Sequence, residues 1–245
     1  MAFTNCYEDA VRAEAYSQLE FANTYHLAFR DLPAILSEHV RGTKAVDFGC
    51  GAGRSTRFVR RLGFDTLGVD TAPEMIAKAR QLDPGGDYRL TEQDDFSRLS
   101  QKAYDVVLSL FTFDNIAGWA NKVQLLMKLA KLLRESGTLI NVVSSPEIYV
   151  HEWASFSTRD YPENRFAKPG DVVKIITTDL ADCRPALDIL CPDVTYRELY
   201  AQARLDVVAM YKPLAKGDEP YRWVNETKIA HWVIYVLKLN GAELT

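Results

Sequence analysis

Three glycines on alternate positions, Gly49, Gly51 and Gly53, follow a short apolar run, residues 45–48. The run reads as a buried strand and residues 54–62 as a helix, with Phe58, Val59 and Leu62 on one face and Gly63 as its stop. A strand, a glycine-rich turn and a helix start form a ligand site by construction. Glycine adopts backbone angles closed to other residues and lets a ligand approach the main chain. The helix start offers unpaired N–H groups and partial positive charge. The blander reading is a turn that only joins strand to helix. Asp70 ends a second apolar run, residues 64–69, at the distance expected of a carboxylate that accepts from both ribose hydroxyls. Its alternative role is capping the helix that follows.

The glycine spacing narrows the ligand. Dinucleotide binders use G-x-G-x-x-G, whereas here the third glycine comes one residue early and Arg54 takes the dinucleotide position. A P-loop is excluded because no Gly-Lys-Ser/Thr follows. With Asp47 two residues before the first glycine, the stretch resembles motif I, D-x-G-x-G-x-G, of the class I S-adenosylmethionine-dependent methyltransferases. The resemblance implies S-adenosylmethionine as cofactor. It implies a site built from Asp47, Gly49, Cys50, Gly51, Gly53, Asp70, Thr71 and Met75, with Leu110 and Phe111 at the end of the fourth strand. In that family an acid after the third strand hydrogen-bonds the adenine amino group and its neighbour packs on the ring. Asp95 and Phe96 match this pattern, with Asp94 as the alternative acid. N-terminal helices there often close over the cofactor, which marks Tyr16 as a contact, although a core aromatic is the blander role.

These residues need a scaffold. Residues 1–40 read as N-terminal helices, with Tyr7, Val11, Ala15 and Leu19 at helical spacing and Pro33 marking a break or a first turn. Thr71 to Glu74 fit a capping box. Residues 104–110, YDVVLSL, are near-continuously apolar, as a central parallel strand requires. Residues 119–134 read as a helix capped by Gly137, and residues 138–143 as strand five. Residues 145–193 break the alternation with an aromatic-rich segment and two short strands, 172–178 and 186–190. This segment reads as a cap over the cofactor mouth, the alternative being a surface subdomain with its own small core. Residues 195–203, 205–211 and 230–239 read as helix, strand and last strand. The resemblance therefore implies an α/β, Rossmann-like, seven-stranded, mostly parallel sheet. Its last strand is antiparallel, and the cap is inserted between strands five and six. The whole forms a single domain over residues 1–245.

Substrate candidates follow from placement. Asp114 and Asn115 lie just beyond the carboxyl end of strand four, where such sheets bind ligands, although such a pair also forms turns. Tyr149, Trp153 and Tyr161 supply aromatic faces with polar tips from the cap. His151 is the first candidate base should the acceptor be a hydroxyl or a carbon acid, because only imidazole titrates near neutrality unperturbed.

Composition bounds the partners. Of 245 residues, 47% are hydrophobic and 25% charged, with 29 basic against 33 acidic residues and a net charge of −4. That balance lacks the clustered Lys and Arg of an extended nucleic-acid footprint. The densest basic stretch, residues 54–61, reads as the solvated face of a helix. No N/D-P-P-Y/F motif follows strand four and no Pro-Cys nucleophile occurs, so a nucleic-acid acceptor is not expected. No secretory signal, bilayer-spanning stretch or zinc-ligand spacing is visible, which points to a reduced, cytoplasmic chain. The expectation is methyl transfer to a small organic molecule by a monomer or homodimer without a metal or membrane partner. A protein acceptor and a non-catalytic nucleotide-binding module or reductase remain the alternatives.

Overall fold

The computed structural model describes residues 10–92 and 95–241. Three helices come first, α1 (Ala10–Ser17), α2 (Thr24–Arg30) and α3 (Leu32–His39). Then β1 (Lys44–Phe48), α4 (Arg54–Arg61), β2 (Asp65–Asp70), α5 (Pro73–Leu82), β3 (Asp87–Leu90) and β4 (Tyr104–Leu110) alternate. They are followed by α6 (Trp119–Leu132) and β5 (Leu133–Ser144). The next segment holds β6 (Phe156–Ser157), β7 (Val172–Thr177) and β8 (Ala186–Ile189). The chain closes with α7 (Asp193–Gln202), β9 (Leu205–Tyr211) and β10 (Trp232–Leu239).

Seven strands form one sheet in the order β3-β2-β1-β4-β5-β10-β9. The contacts from β3 to β5 are parallel, and β10 runs antiparallel to both β5 and β9. This is the expected architecture, including the antiparallel last strand. Its central strands are largely apolar because both faces are covered. In β4, Val106 and Leu108 point to a core shared with α2 and α3, through Leu27, Phe29 and Ile35. Val107 points to the opposite core, shared with α6 and α7 through Leu126, Leu129 and Tyr200. The inserted segment carries a separate antiparallel sheet, β6-β7-β8.

Two local expectations are corrected. Helix α6 ends at Leu132 and passes straight into β5, so Gly137 is a strand residue, not a helix cap. Leu133 pairs with Tyr104 and Thr138 with Val106, and the extra residues between them are absorbed as an irregularity. Glycine fits there because a Cβ at Gly137 would lie 2.9 Å from the Arg134 carbonyl oxygen. The capping box at α5 does not form either: Ala72 is the N-cap and no side chain caps the helix. Asp70 Oδ1 instead accepts from the Ala72 backbone N–H at 2.9 Å. Among the described residues no helix is long and apolar enough to cross a membrane.

Candidate active site

The glycine turn after β1 is held from below. Asp47, on β1, is buried, and its Oδ2 accepts from the Ser55 and Thr56 hydroxyls, both at 2.6 Å. Burial pushes its carboxyl up to about 6, against the pull of those two donors. Its Oδ1 is buried without a hydrogen-bond partner. From β2, Asp70 Oδ2 accepts from the Gly51 N–H at 2.8 Å, tying the turn to the carboxyl end of that strand. Burial raises the Asp70 carboxyl as well, against the backbone N–H groups of Ala72 and Gly51.

All three glycines take positive φ, and Gly49 and Gly51 serve different purposes. Gly49 has φ +70°, and a Cβ there would overlap the Thr112 side chain. Gly51 has φ +53°, and the nearest atom to its added Cβ would be Met75 Sδ at 4.0 Å. Gly49 is therefore demanded by packing, whereas Gly51 presents bare backbone to an open space.

That space is a cavity of about 590 Å³. One end is walled by Gly49, Cys50, Gly51, Asp70, Thr71 and Met75, with Tyr16 from α1. The other end is walled by Phe111, Asp114, Asn115, Phe156, Asp188 and Trp232, which come from the β4 loop, the inserted sheet and β10. Phe111 takes φ +63°, a conformation costly for a non-glycine residue. Its ring centroid lies 4.6 Å from Trp232 and 5.7 Å from Tyr25.

The cavity gathers eleven of the expected residues: Tyr16, Gly49, Cys50, Gly51, Asp70, Thr71, Met75, Leu110, Phe111, Asp114 and Asn115. Others stand elsewhere. Asp47 and Gly53 lie outside its lining. Asp95 is exposed and its Oδ1 accepts from the Ser97 N–H at 2.9 Å, which holds its carboxyl below the ordinary range. Phe96 is packed edge-on against Phe48 in the core. Asp94 lies outside the described residues.

The cap residues also need correction. Trp153 is buried and donates its indole N–H to the Ile148 carbonyl at 2.9 Å, so its ring serves the cap's own packing. Tyr149 is buried behind the cavity and donates to Asp188 Oδ2 at 3.0 Å. Tyr161 and His151 flank a separate small depression of about 230 Å³. His151 pairs with Glu147, four residues earlier, at 3.1 Å and does not reach the main cavity.

Some cavity residues were not singled out by the sequence. Arg54 does not join a solvated face: its guanidinium lies 4.4 Å from the Tyr25 ring centroid, inside the cavity wall. Only Arg61 of the basic run in α4 is exposed. Asp188 points inward from β8, a position an acid in an otherwise apolar strand could have signalled.

The first end fits S-adenosylmethionine on this geometry. Gly51 leaves room for close approach, the carboxylate of Asp70 retains lone pairs for ribose hydroxyls, and Asp47 keeps a buried acceptor without a partner beneath the turn.

A methyltransferase-domain family model matches residues 46–139, the stretch that builds the glycine turn, Asp70 and β4. The ubiquinone biosynthesis O-methyltransferase of Cereibacter sphaeroides is 27% identical over 164 residues, covering 58% of this chain and 64% of that protein. Its counterpart in Roseobacter denitrificans is 28% identical over 154 residues, covering 54% and 60%. The chain thus matches about three-fifths of the length of these relatives. Among solved structures, an S-adenosylmethionine-dependent methyltransferase from Clostridium acetobutylicum superimposes with a TM-score of 0.63 at 13% identity, covering 97% of this chain and 100% of that one. The CcbJ methyltransferase from Streptomyces caelestis gives 0.64 at 14% identity, covering 93% and 95%. At such identities the likeness is one of fold. That fold is the one seen in these S-adenosylmethionine-dependent methyltransferases, and the matched methyltransferase-domain model covers the part of it that holds the glycine turn and Asp70.

Proposed function

We propose that this protein transfers a methyl group from S-adenosylmethionine to an N, O or C atom of a small organic molecule. The observation that carries the reading is one continuous cavity, running from the glycine turn and Asp70 to an aromatic chamber under the inserted sheet. Its volume suits two small molecules end to end better than a flat macromolecular surface. The relatives are named as O-methyltransferases of ubiquinone biosynthesis, which favours a small-molecule acceptor.

When bound, the cofactor supplies a methyl group on a positively charged sulfur, so the chain's task is alignment and exclusion of water. Asp70 and the Gly51 backbone hold the ribose and amino-acid end. Phe111, Phe156 and Trp232 form a water-poor wall around the acceptor. Alignment of this kind supplies on the order of 7–11 kcal/mol. A reduced, cytoplasmic setting belongs to the same reading, since Cys50, Cys183 and Cys191 are all unpaired.

The test is a ligand panel read by thermal shift and calorimetry. S-adenosylmethionine and S-adenosylhomocysteine are expected to raise the melting temperature, and NAD to leave it unchanged. Asp70→Ala is expected to weaken S-adenosylhomocysteine binding by about 1.5–3 kcal/mol, the worth of a hydrogen bond to a charged group. Unchanged affinity in that variant would remove the ribose assignment, and a response to NAD alone would remove the reading. Labelled donor added to cell extract separates acceptors: label in macromolecules would favour a protein substrate.

A further inference from the structure

Two buried carboxylates face the acceptor end of the cavity, and their surroundings differ. Asp114 accepts from the Ser144 backbone N–H at 2.9 Å and from the Tyr196 hydroxyl at 3.1 Å. The wholly buried Lys122 offsets its charge. Asp188, 8% exposed on β8, accepts from the Asn115 side-chain amide on one oxygen and from the Tyr149 hydroxyl on the other. Both donors are neutral, and Asp188 forms no ion pair among the described residues. A buried carboxylate without a bonded counter-charge is stable only if it is protonated, or if it can take a proton from whatever enters.

The chamber around it is built of rings. Phe156 lies 5.8 Å from Trp232 and 5.3 Å from Tyr25, centroid to centroid. Flat apolar walls favour a flat apolar guest. The cation already in the wall, Arg54, disfavours an ammonium and leaves a neutral hydroxyl as the better partner for Asp188.

From this juxtaposition we infer that Asp188 is the general base for methylation of an aromatic hydroxyl, held in place by Asn115 and Tyr149. The inference rests on the methyltransferase reading above. The hydroxyl proton passes to the Asp188 carboxylate as the oxygen bonds to the methyl carbon. The electron pair of the broken carbon–sulfur bond stays on sulfur. One cationic sulfur and one carboxylate become a neutral thioether and a neutral carboxylic acid, and Asp188 returns its proton to solvent when product leaves.

Protonation supports the geometry. Burial, followed by the negative charge of Asp114, pushes the Asp188 carboxyl up to about 7, with Tyr149, Lys122 and Arg12 opposing. These are the titratable and charged groups that face Asp188 from α1, the turn after β4, α6 and the turn after β5. A base poised near neutrality is best matched to proton transfer there.

The experiment uses the full chain with catechol, caffeate and tyramine as acceptor probes. Asp188→Asn keeps the side chain's shape and is expected to bind S-adenosylhomocysteine as the parent does. Calorimetry is expected to show its affinity for catechol, in the S-adenosylhomocysteine complex, weakened about 5–20-fold. Its turnover is expected to fall roughly 10²–10⁴-fold, the usual share of a positioned base. The parent's kcat should rise with pH through neutrality, and that limb should vanish in Asp188→Asn.

Each other outcome decides something. If the parent protein does not bind S-adenosylhomocysteine, the methyltransferase reading itself fails. If it does, but none of the three probes binds or is methylated, the hydroxyl assignment is overturned and that reading stands. Methylation of tyramine on nitrogen overturns it equally. Near-parental turnover with an unmoved pH limb in Asp188→Asn removes the base. Should Asp188→Asn lose S-adenosylhomocysteine binding, Tyr149→Phe decides. Loss of the hydroxyl that favours ionised Asp188 must move the limb to higher pH, and an unmoved limb overturns the assignment.

Discussion

Two glycines on alternate positions of the same turn have different duties, and substitution separates them. An alanine Cβ at Gly49 would overlap Thr112, whose hydroxyl lies 3.3 Å from the Phe48 carbonyl oxygen at the end of β1. Left-handed strain and overpacking then act together, so Gly49→Ala is expected to cost about 2–4 kcal/mol of stability. Gly51→Ala meets no crowding from the protein and is expected to cost only about 1–2 kcal/mol. Its new methyl group would instead stand where a ligand must approach, weakening S-adenosylhomocysteine binding roughly 10–100-fold. Chemical denaturation and calorimetry on the pair check this. Equal losses of stability, or unimpaired binding in Gly51→Ala, would sink the division of labour.

At the scale of elements, the aromatic chamber depends on how three distant segments are joined. Glu226, wholly buried in the connection before β10, accepts from the Thr24 hydroxyl of α2 and the Ala154 N–H of the inserted segment, both at 2.7 Å. Its second oxygen accepts from the Val224 N–H at 2.8 Å. Burial alone would raise its carboxyl, but the Ala154 N–H and Thr24 hydroxyl lead the donors that hold it below the ordinary range. Glu226→Gln places an amide donor where only acceptors fit and leaves a buried N–H unpaired. A loss of about 2 kcal/mol is expected, or roughly 4–8 °C in melting temperature. Hydrogen exchange should rise in α2 and around residue 154 before the central sheet loosens; uniform loosening would deny Glu226 its joining role. The same join explains what the sequence could and could not disclose. The glycine turn, Asp70 and β4 were readable because each is contiguous and carries its own periodicity. The acceptor end was not, because Tyr25, Phe156, Asp188 and Trp232 come from four separated segments. Only the folded register brings them to one wall. His151 drew attention as a residue type, yet its position gives it Glu147 and the surface. The α6–β5 boundary was hidden for a different reason: the helical spacing of Leu126, Leu129 and Leu133 carries across it, and Gly137 signals a cap where it relieves a crowded strand.

For the whole molecule, stability against pH is a sum over opposed groups, and a single substitution isolates one of them. Burial raises Asp47, Asp70, Asp114 and Asp188, all beside or beneath one cavity. Burial also drives His231 down to about 4, and Glu219 is held near 2 by backbone donors despite its own burial. A carboxyl raised by folding binds its proton more tightly in the native state, so its contribution to stability falls as pH rises. For Asp188 that window runs from its unfolded value of 3.8 to about 7. A histidine lowered by folding has the opposite sign, gaining stability with pH between about 4 and 6.5. The two trends partly cancel in the parent protein, whose melting curve against pH therefore reports neither. Asp188→Asn removes one trend and leaves the other. Its melting temperature relative to the parent should climb from pH 4 to pH 7 and level off above, because across that interval only the parent's native state holds a proton that its unfolded state has released. Calorimetric scans at closely spaced pH values check it. A flat difference would mean that Asp188 is ionised throughout, with a counter-charge strong enough to hold it so, and the chamber would then be built for a different guest.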